Sequence, residues 1–162
     1  MELYVIRHAQ SVHNKYMKLV HKDPENIGFE KPTTTDTELS EEGRTEAQNA
    51  IQTLSGCCDY MYVSPLKRTM ETARIIREAK FENQDLDELL DFTKFGGESY
   101  ASIRSRVEKF LELAKQSGHE RVIVVTSQGV IKMMYEIIVG AIAPSVPQHI
   151  RIKNAVVHTF II

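Results

Sequence analysis

The sequence predicts an α/β fold built on a mostly parallel sheet, and three observations carry that expectation. Short apolar runs at Leu3 to Ile6, Tyr60 to Val63 and Val122 to Val125 each precede a helical pattern, the order expected of parallel strands covered on both faces. The final run, "AVVHTFII", supplies one more strand. The length of 162 residues suits one domain spanning 1–162, because a chain of this size buries roughly 70% of its unfolded surface.

The helices follow in order. Ser40 is a good N-cap for "EEGRTEAQNAIQTL", which has acids in its first turn and Ala47, Ala50, Ile51 and Leu54 on one face. Leu66, Met70, Ala73 and Ile76 or Arg77 make the next stripe. From Ser99 onward, Tyr100, Ile103, Val107, Phe110, Leu111 and Ala114 recur at helical spacing, and Gly118 follows as a stop. Val122 to Ala143 is apolar enough to test as a membrane span. Its Gln128, Lys132 and Glu136 form one polar stripe, so a strand followed by an amphipathic helix is expected instead. Lys15 to Thr37 has little periodicity and holds Pro24, Gly28 and Pro32, which predicts a loop acting as a lid or substrate-facing segment.

Composition narrows the function classes. A hydrophobic content of 42% and a charged content of 26% are ordinary for a globular protein, and a formal net charge of -2 gives no basic field for nucleic acid. No nucleic acid or membrane partner is expected. The start "MELYVIRH" lacks a basic stretch followed by an apolar one, so a cytoplasmic location is the default. Cys57 and Cys58 are adjacent and read as reduced small hydrophobes. His13, His21, His149 and His158 show no metal-ligand spacing with carboxylates, so neither a metal nor a cofactor is expected. Oligomeric state is not legible.

In an open parallel sheet, ligands bind beyond the carboxyl ends of the strands. Three predicted strands end there in groups suited to an oxyanion: Arg7 and His8, then Ser64 with Arg68, then Thr126 to Gln128. Guanidinium forks match phosphate oxygens, and helix N-termini point backbone N–H groups at them. A neutral imidazole between Arg7 and Arg68 can accept a phosphoryl group covalently. An Arg-His pair equally fits a core histidine beside structural arginines, and spacing alone leaves the two open.

Five ordered segments add a resemblance. "LYVIRHAQSVHN" resembles the nucleophile motif of the histidine phosphatase superfamily, the phosphoglycerate mutase-like proteins, where a strand leads into Arg-His-Gly. "DTELSEEGRTEAQ" is similar to that family's Asp-x-x-Leu-Thr-x-x-Gly-x-x-Gln segment, two residues longer between Gly43 and Gln48. "VSPLKRTMETARII" resembles its Ser-Pro-Leu-x-Arg helix, "GGESYASIRSRVEKFL" its Gly-Glu-Ser helix start, and "IRIKNAVVHTF" its final Asn-bearing strand. The resemblance implies a three-layer α/β/α sandwich. It also implies that His8 is the phosphate-accepting nucleophile, that Arg7 and Arg68 bind phosphate, and that Asn14 adds a contact.

Three positions depart from the pattern. Ala9 replaces the usual glycine, which is tolerated if the backbone keeps negative φ. The family's general acid follows its third strand. Here the region is compressed to "DLDELLDFTKFGGES", which leaves Asp91 first and Glu88 second, or a solvated carboxylate in either case. The family's second histidine, in Val-Ser-His-Gly, is replaced by Gln128 in "VVTSQGV". A neutral amide gives up roughly 1 to 2 kcal/mol against a charged donor, about five- to thirtyfold in phosphate binding.

The resemblance therefore implies a phosphatase acting on phosphate monoesters, of small molecules or of phosphoproteins, through a phosphohistidine on His8. Gln128 is expected to weaken it. The alternative is a catalytically impaired phosphate-binding module of the same fold. Mutase chemistry is disfavoured because long insertions that retain a bisphosphate are missing. A nucleotide-binding protein is disfavoured too, since no Gly-x-Gly-x-x-Gly or Gly-Lys-Ser/Thr loop follows a strand. Lys15, Lys18, His21 and Lys22 make a weakly basic stretch, read as a solvated loop face in preference to a reader of an acidic leaving group.

Overall fold

The computed structural model describes residues 1–54, 56, 58–80, 99–140 and 152–162. The elements run β1 (Glu2–Arg7), α1 (Val12–Lys22), α2 (Glu41–Thr53), β2 (Tyr60–Val63), α3 (Lys67–Lys80), α4 (Tyr100–Gln116), β3 (Arg121–Thr126), α5 (Gln128–Val139) and β4 (Val157–Ile161). The sheet order is β2-β3-β1-β4. β1 and β2 both pair parallel with β3, and β4 runs antiparallel along β1. The sheet is mixed but mostly parallel.

Side chains alternate across this sheet, as extended backbone requires. Leu3, Val5, Val122 and Val124 point to one face and meet Val107 and Phe110 of α4 and Ile131 and Met134 of α5. Tyr4, Ile6, Ile123 and Val125 point to the other and meet Ala73 and Ile76 of α3 and Leu54 after α2. Helices on both faces make three layers and explain why the inner strands read as unbroken apolar runs. The polar stripe on α5 is used: Glu136 accepts from Arg104 of α4 at 2.7 Å. Among the described residues no helix is long and apolar enough to cross a membrane.

Register places the strand ends together. Arg7 lies beside Thr126, and Val63 beside Val125. Because β4 is antiparallel, its start, with Val157 opposite Ile6, comes to the same edge. The loops after β1, β2 and β3 and the loop before β4 therefore converge there.

Several expectations are corrected. The predicted loop from Lys15 begins inside a helix, because Ser11 caps α1. Its hydroxyl accepts from Asn14 N at 3.1 Å, and Asn14 Oδ1 accepts from Ser11 N at 3.3 Å. No residue of α1 is fully buried, which is why apolar periodicity missed it. Tyr100, placed on the core stripe of α4, is 52% exposed in the first turn, while Val107, Phe110, Leu111 and Ala114 are buried. Cys58 is a buried free thiol, and Cys57 lies outside the described residues.

The N-terminus of α2 is stitched to the loop after β1. Ser40 N donates to Gln10 O at 3.0 Å, and Ser40 Oγ caps Gly43 N at 3.0 Å. A Cβ on Gly43 would stand 2.0 Å from Gln10 O. That neighbour is backbone and cannot swing aside. Gly43→Ala is accordingly expected to cost about 1–3 kcal/mol, roughly 2–10 °C in melting temperature. Helical Gly129, with open space around its Cα, is the control: Gly129→Ala is expected to be neutral or stabilising. Thermal denaturation followed by circular dichroism checks both.

Candidate active site

His8 follows β1 and is 3% exposed. Its amide donates to Thr126 O at 2.9 Å, continuing the β1–β3 ladder by one residue. Its ring is held at both nitrogens. Nδ1 lies 2.8 Å from Ala9 O, an acceptor only, so Nδ1 carries the proton. Nε2 then presents a lone pair, and Arg68 Nε donates to it at 3.1 Å. Burial pushes the His8 pKa down to about 3, with Arg68 and Arg7 adding to the effect and the Ala9 carbonyl opposing it. The imidazole is neutral at ordinary pH, with Nε2 unprotonated.

Arg68 lies in the first turn of α3. Besides His8 it holds Thr35 O at 3.1 Å and Asp36 at 3.5 Å. Burial lowers its pKa, and Asp36 partly offsets this. Asp36 Oδ1 also accepts from Lys67 N at 3.0 Å, so the segment expected as a lid is pinned to the start of α3. Arg7 donates through Nη1 to the Ile152 carbonyl and lines a cleft of about 470 Å³ with Asn14 and Asn154.

The loop that carries His8 is fixed from three sides. Ala9 is fully buried and is not among the positive-φ residues, so its methyl is accommodated where the family has glycine. Ala9 N donates to Thr72 Oγ1 at 3.0 Å. Gln10 N donates to Glu46 Oε2 at 2.8 Å. Asn154, in the loop before β4, donates through Nδ2 to His8 O at 2.9 Å and to Asn14 Oδ1 at 3.4 Å. On the other side, Ser64 Oγ and Thr126 Oγ1 lie 2.8 Å apart and tie the end of β2 to that of β3.

The structure thus brings His8, Arg7, Arg68 and Asn14 to one edge of the sheet. Gln128 opens α5 at that edge, half-buried, and its side-chain amide makes no hydrogen bond to the described residues. Asp91 and Glu88 lie outside the described residues. Glu46, Thr72 and Asn154 were missed as site residues. The signal for Glu46 was present: three residues after Gly43 falls on Glu46, not on Gln48, which is exposed. For Asn154 it was the Asn of the final strand motif. No group of three or more His, Cys, Asp or Glu suited to a metal occurs among the described residues.

The buried neutral ring has a consequence for stability. Its folded pKa of about 3 lies below the unfolded value near 6.5, so between those limits the unfolded chain binds the extra proton and stability falls as pH falls. At pH 5 the loss from His8 is about 2 kcal/mol relative to pH 7. Urea unfolding at the two pH values is expected to show wild type losing about that much more than His8→Gln. An equal loss in the two proteins would mean that His8 titrates normally.

Chemically, the arrangement offers an unprotonated imidazole nitrogen flanked by two guanidinium groups, with backbone N–H donors at the start of α5 beside them. Similarity to known proteins points the same way. The family described as histidine phosphatase superfamily (branch 1) matches residues 3–96 and 78–162. The chain is 29% identical over 177 residues to phosphoserine phosphatase 1 of Hydrogenobacter thermophilus, covering 86% of this chain and 77% of that protein. Among solved structures, phosphoserine phosphatase from Entamoeba histolytica in complex with 3-phosphoglyceric acid superposes with a TM-score of 0.68 at 21% identity, over 99% of this chain and 90% of the other. The alpha-ribazole phosphatase from Shigella flexneri gives a TM-score of 0.69 at 20% identity, over 98% and 89%.

Proposed function

Since the chain belongs to the histidine phosphatase superfamily, we propose that it hydrolyses phosphate monoesters through a phosphohistidine on His8. The observation that carries this is the tautomer of His8: Nδ1–H is committed to Ala9 O, which leaves Nε2 as the nucleophilic atom at the side where Arg68 sits. In this proposal the Arg68 N–H passes from Nε2 to a phosphoryl oxygen as substrate binds, which frees the lone pair; Nε2 then attacks phosphorus in line with the leaving oxygen, and the P–O bond to the alcohol breaks as the P–N bond forms. Arg7, Arg68, Asn14 and Gln128 hold the phosphoryl oxygens. Asp91, with Glu88 as second choice, protonates the departing alkoxide. Water, giving a proton back to that carboxylate, then attacks phosphorus, releases inorganic phosphate and returns Nε2 to its starting state.

A low pKa suits this cycle. A histidine titrating near 6.5 is largely protonated in mild acid and cannot attack, whereas His8 stays available. Its neutral form costs nothing to generate at neutral pH.

The relatives support the choice of phosphoric monoesters, since those named above are phosphatases of phosphoserine and alpha-ribazole phosphate. The proposed substrate here is a small phosphorylated molecule. Gln128 favours a second reading, a phosphate-binding module with impaired turnover, because its neutral amide stands where the family's charged donor is expected.

Phosphate release from para-nitrophenyl phosphate between about pH 4 and 8 separates the two. The phosphatase reading expects turnover in wild type and a further gain on the order of tenfold in kcat/KM for Gln128→His. Binding of phosphate with no release, in wild type and Gln128→His alike, overturns it in favour of the binding module.

A further inference from the structure

The cleft lined by Arg7 and Asn14 has a charge pattern that a phosphate alone does not use. Arg7 and Asn14 line it together with Lys18 and His21 of α1 and Lys153 of the loop before β4. Asn14, Met17, Lys18 and His21 all line this cleft, at the spacing of one helical face. At 1.5 Å per residue, Lys18 and His21 sit roughly 6 and 10 Å along the helix axis from Asn14.

These cations are not spent within the protein. Lys15 points to α2, where it pairs with Glu42 at 3.4 Å, and Lys22 does not line the cleft. Lys18, His21 and Lys153 take part in no ion pair among the described residues. The one carboxylate on the wall, Glu46, is bonded to Gln10 N. An anionic tail is thus repelled from the Glu46 wall and attracted toward Lys18 and Lys153. Lys22 and His21 suit the C-terminal end of α1 by themselves. Lys153, arriving from another element of the fold, has no such role.

Resting on the phosphatase reading above, we infer that the cleft is a second anion subsite, and that the preferred substrate is a small phosphate monoester carrying another acidic group roughly 6 to 10 Å from the phosphoryl oxygen that Asn14 holds. Arg7 and Asn14, which hold phosphoryl oxygens in that reading, also line this cleft, so a substrate held by them carries its second anion to the walls that bear Lys18 and Lys153. The acid, carboxylate or second phosphate, is read by Lys18 and Lys153 with His21 as a hydrogen-bond donor. Neutral esters of the same length lose that contact while keeping the phosphoryl site.

The test compares short ω-carboxyalkyl phosphates with their carboxamides and with alkane bisphosphates of matched length, in wild type and in the Lys18→Ala/Lys153→Ala double variant. Because the contacts are partly solvated, a preference for the acids of roughly tenfold in kcat/KM is expected at low salt. It should shrink toward one in the double variant and at high salt. The carboxylate and bisphosphate arms tell which acid is preferred. Hydrolysis of acid and amide at equal rates overturns the subsite and leaves the phosphatase reading standing. If no ester is turned over, the phosphatase reading fails, and calorimetric Kd values for the same esters decide the subsite separately. Equal values overturn it, and a roughly tenfold tighter acid that loosens in the double variant supports it.

Discussion

His8→Ala is expected to lower turnover of para-nitrophenyl phosphate on the order of 10⁴-fold or more, to the level of buffer. The loss is large because the covalent route disappears as a unit: with no Nε2, the remaining groups bind phosphate but give it nothing to transfer to. The protein should remain folded. His8 carries an ionisation that opposes folding in acid, so the variant is expected to resist low pH better than wild type. Inactivity with retained or improved acid stability separates a lost nucleophile from a collapsed fold. Steady-state kinetics beside urea unfolding at pH 5 provides both readings.

Arg68→Ala carries the second largest effect, a fall of roughly 10²- to 10³-fold in kcat/KM. Two contributions combine. The guanidinium is placed to neutralise charge on the transferring phosphoryl group, and its Nε–H donates to His8 Nε2 at 3.1 Å, which orients the ring until substrate takes over that N–H. Arg68→Lys keeps the charge but loses the planar fork and that donor geometry, so it should recover binding more than rate. KM near the wild-type value with kcat still depressed is the signature. Full recovery of kcat by lysine would show that charge alone matters and that the bond to His8 does not. The same substitutions release Thr35 and Asp36, and faster proteolysis of residues 23–38 in Arg68→Ala is an accompanying expectation.

Much of this was legible in the sequence. The parallel strands, both covering faces and the positions of Arg7, His8 and Arg68 follow from apolar runs that end abruptly in charged groups. Burial on both sides of a strand leaves a strong compositional trace. α1 left none, since its residues are at best half-buried. Its capping box was the available sign, and Asn14 at the third position closes it without the Glu or Gln that usually marks such a box. Asn14 therefore stabilises a helix start as well as bordering the cleft.

The contacts that hold the nucleophile loop were harder to see. Gln10 N finds Glu46 and Ala9 N finds Thr72 across 36 and 63 residues of chain, and no local pattern announces such pairs. Helical spacing from Gly43 would have favoured Glu46 over Gln48, because two positions on is a different face. The basic stretch at Lys15 to Lys22 was visible as composition. Only the helix sorts it, turning Lys18 and His21 to the cleft and Lys15 to Glu42.

The phosphorylated enzyme itself is the most direct witness. Wild-type protein mixed with para-nitrophenyl phosphate, quenched rapidly without acid and measured by intact mass, is expected to show one added phosphoryl group. Peptide mapping should place it on His8, and it should be absent from His8→Ala. Turnover without any such adduct, or an adduct and turnover that persist in His8→Ala, would contradict the assignment of His8 as the nucleophile.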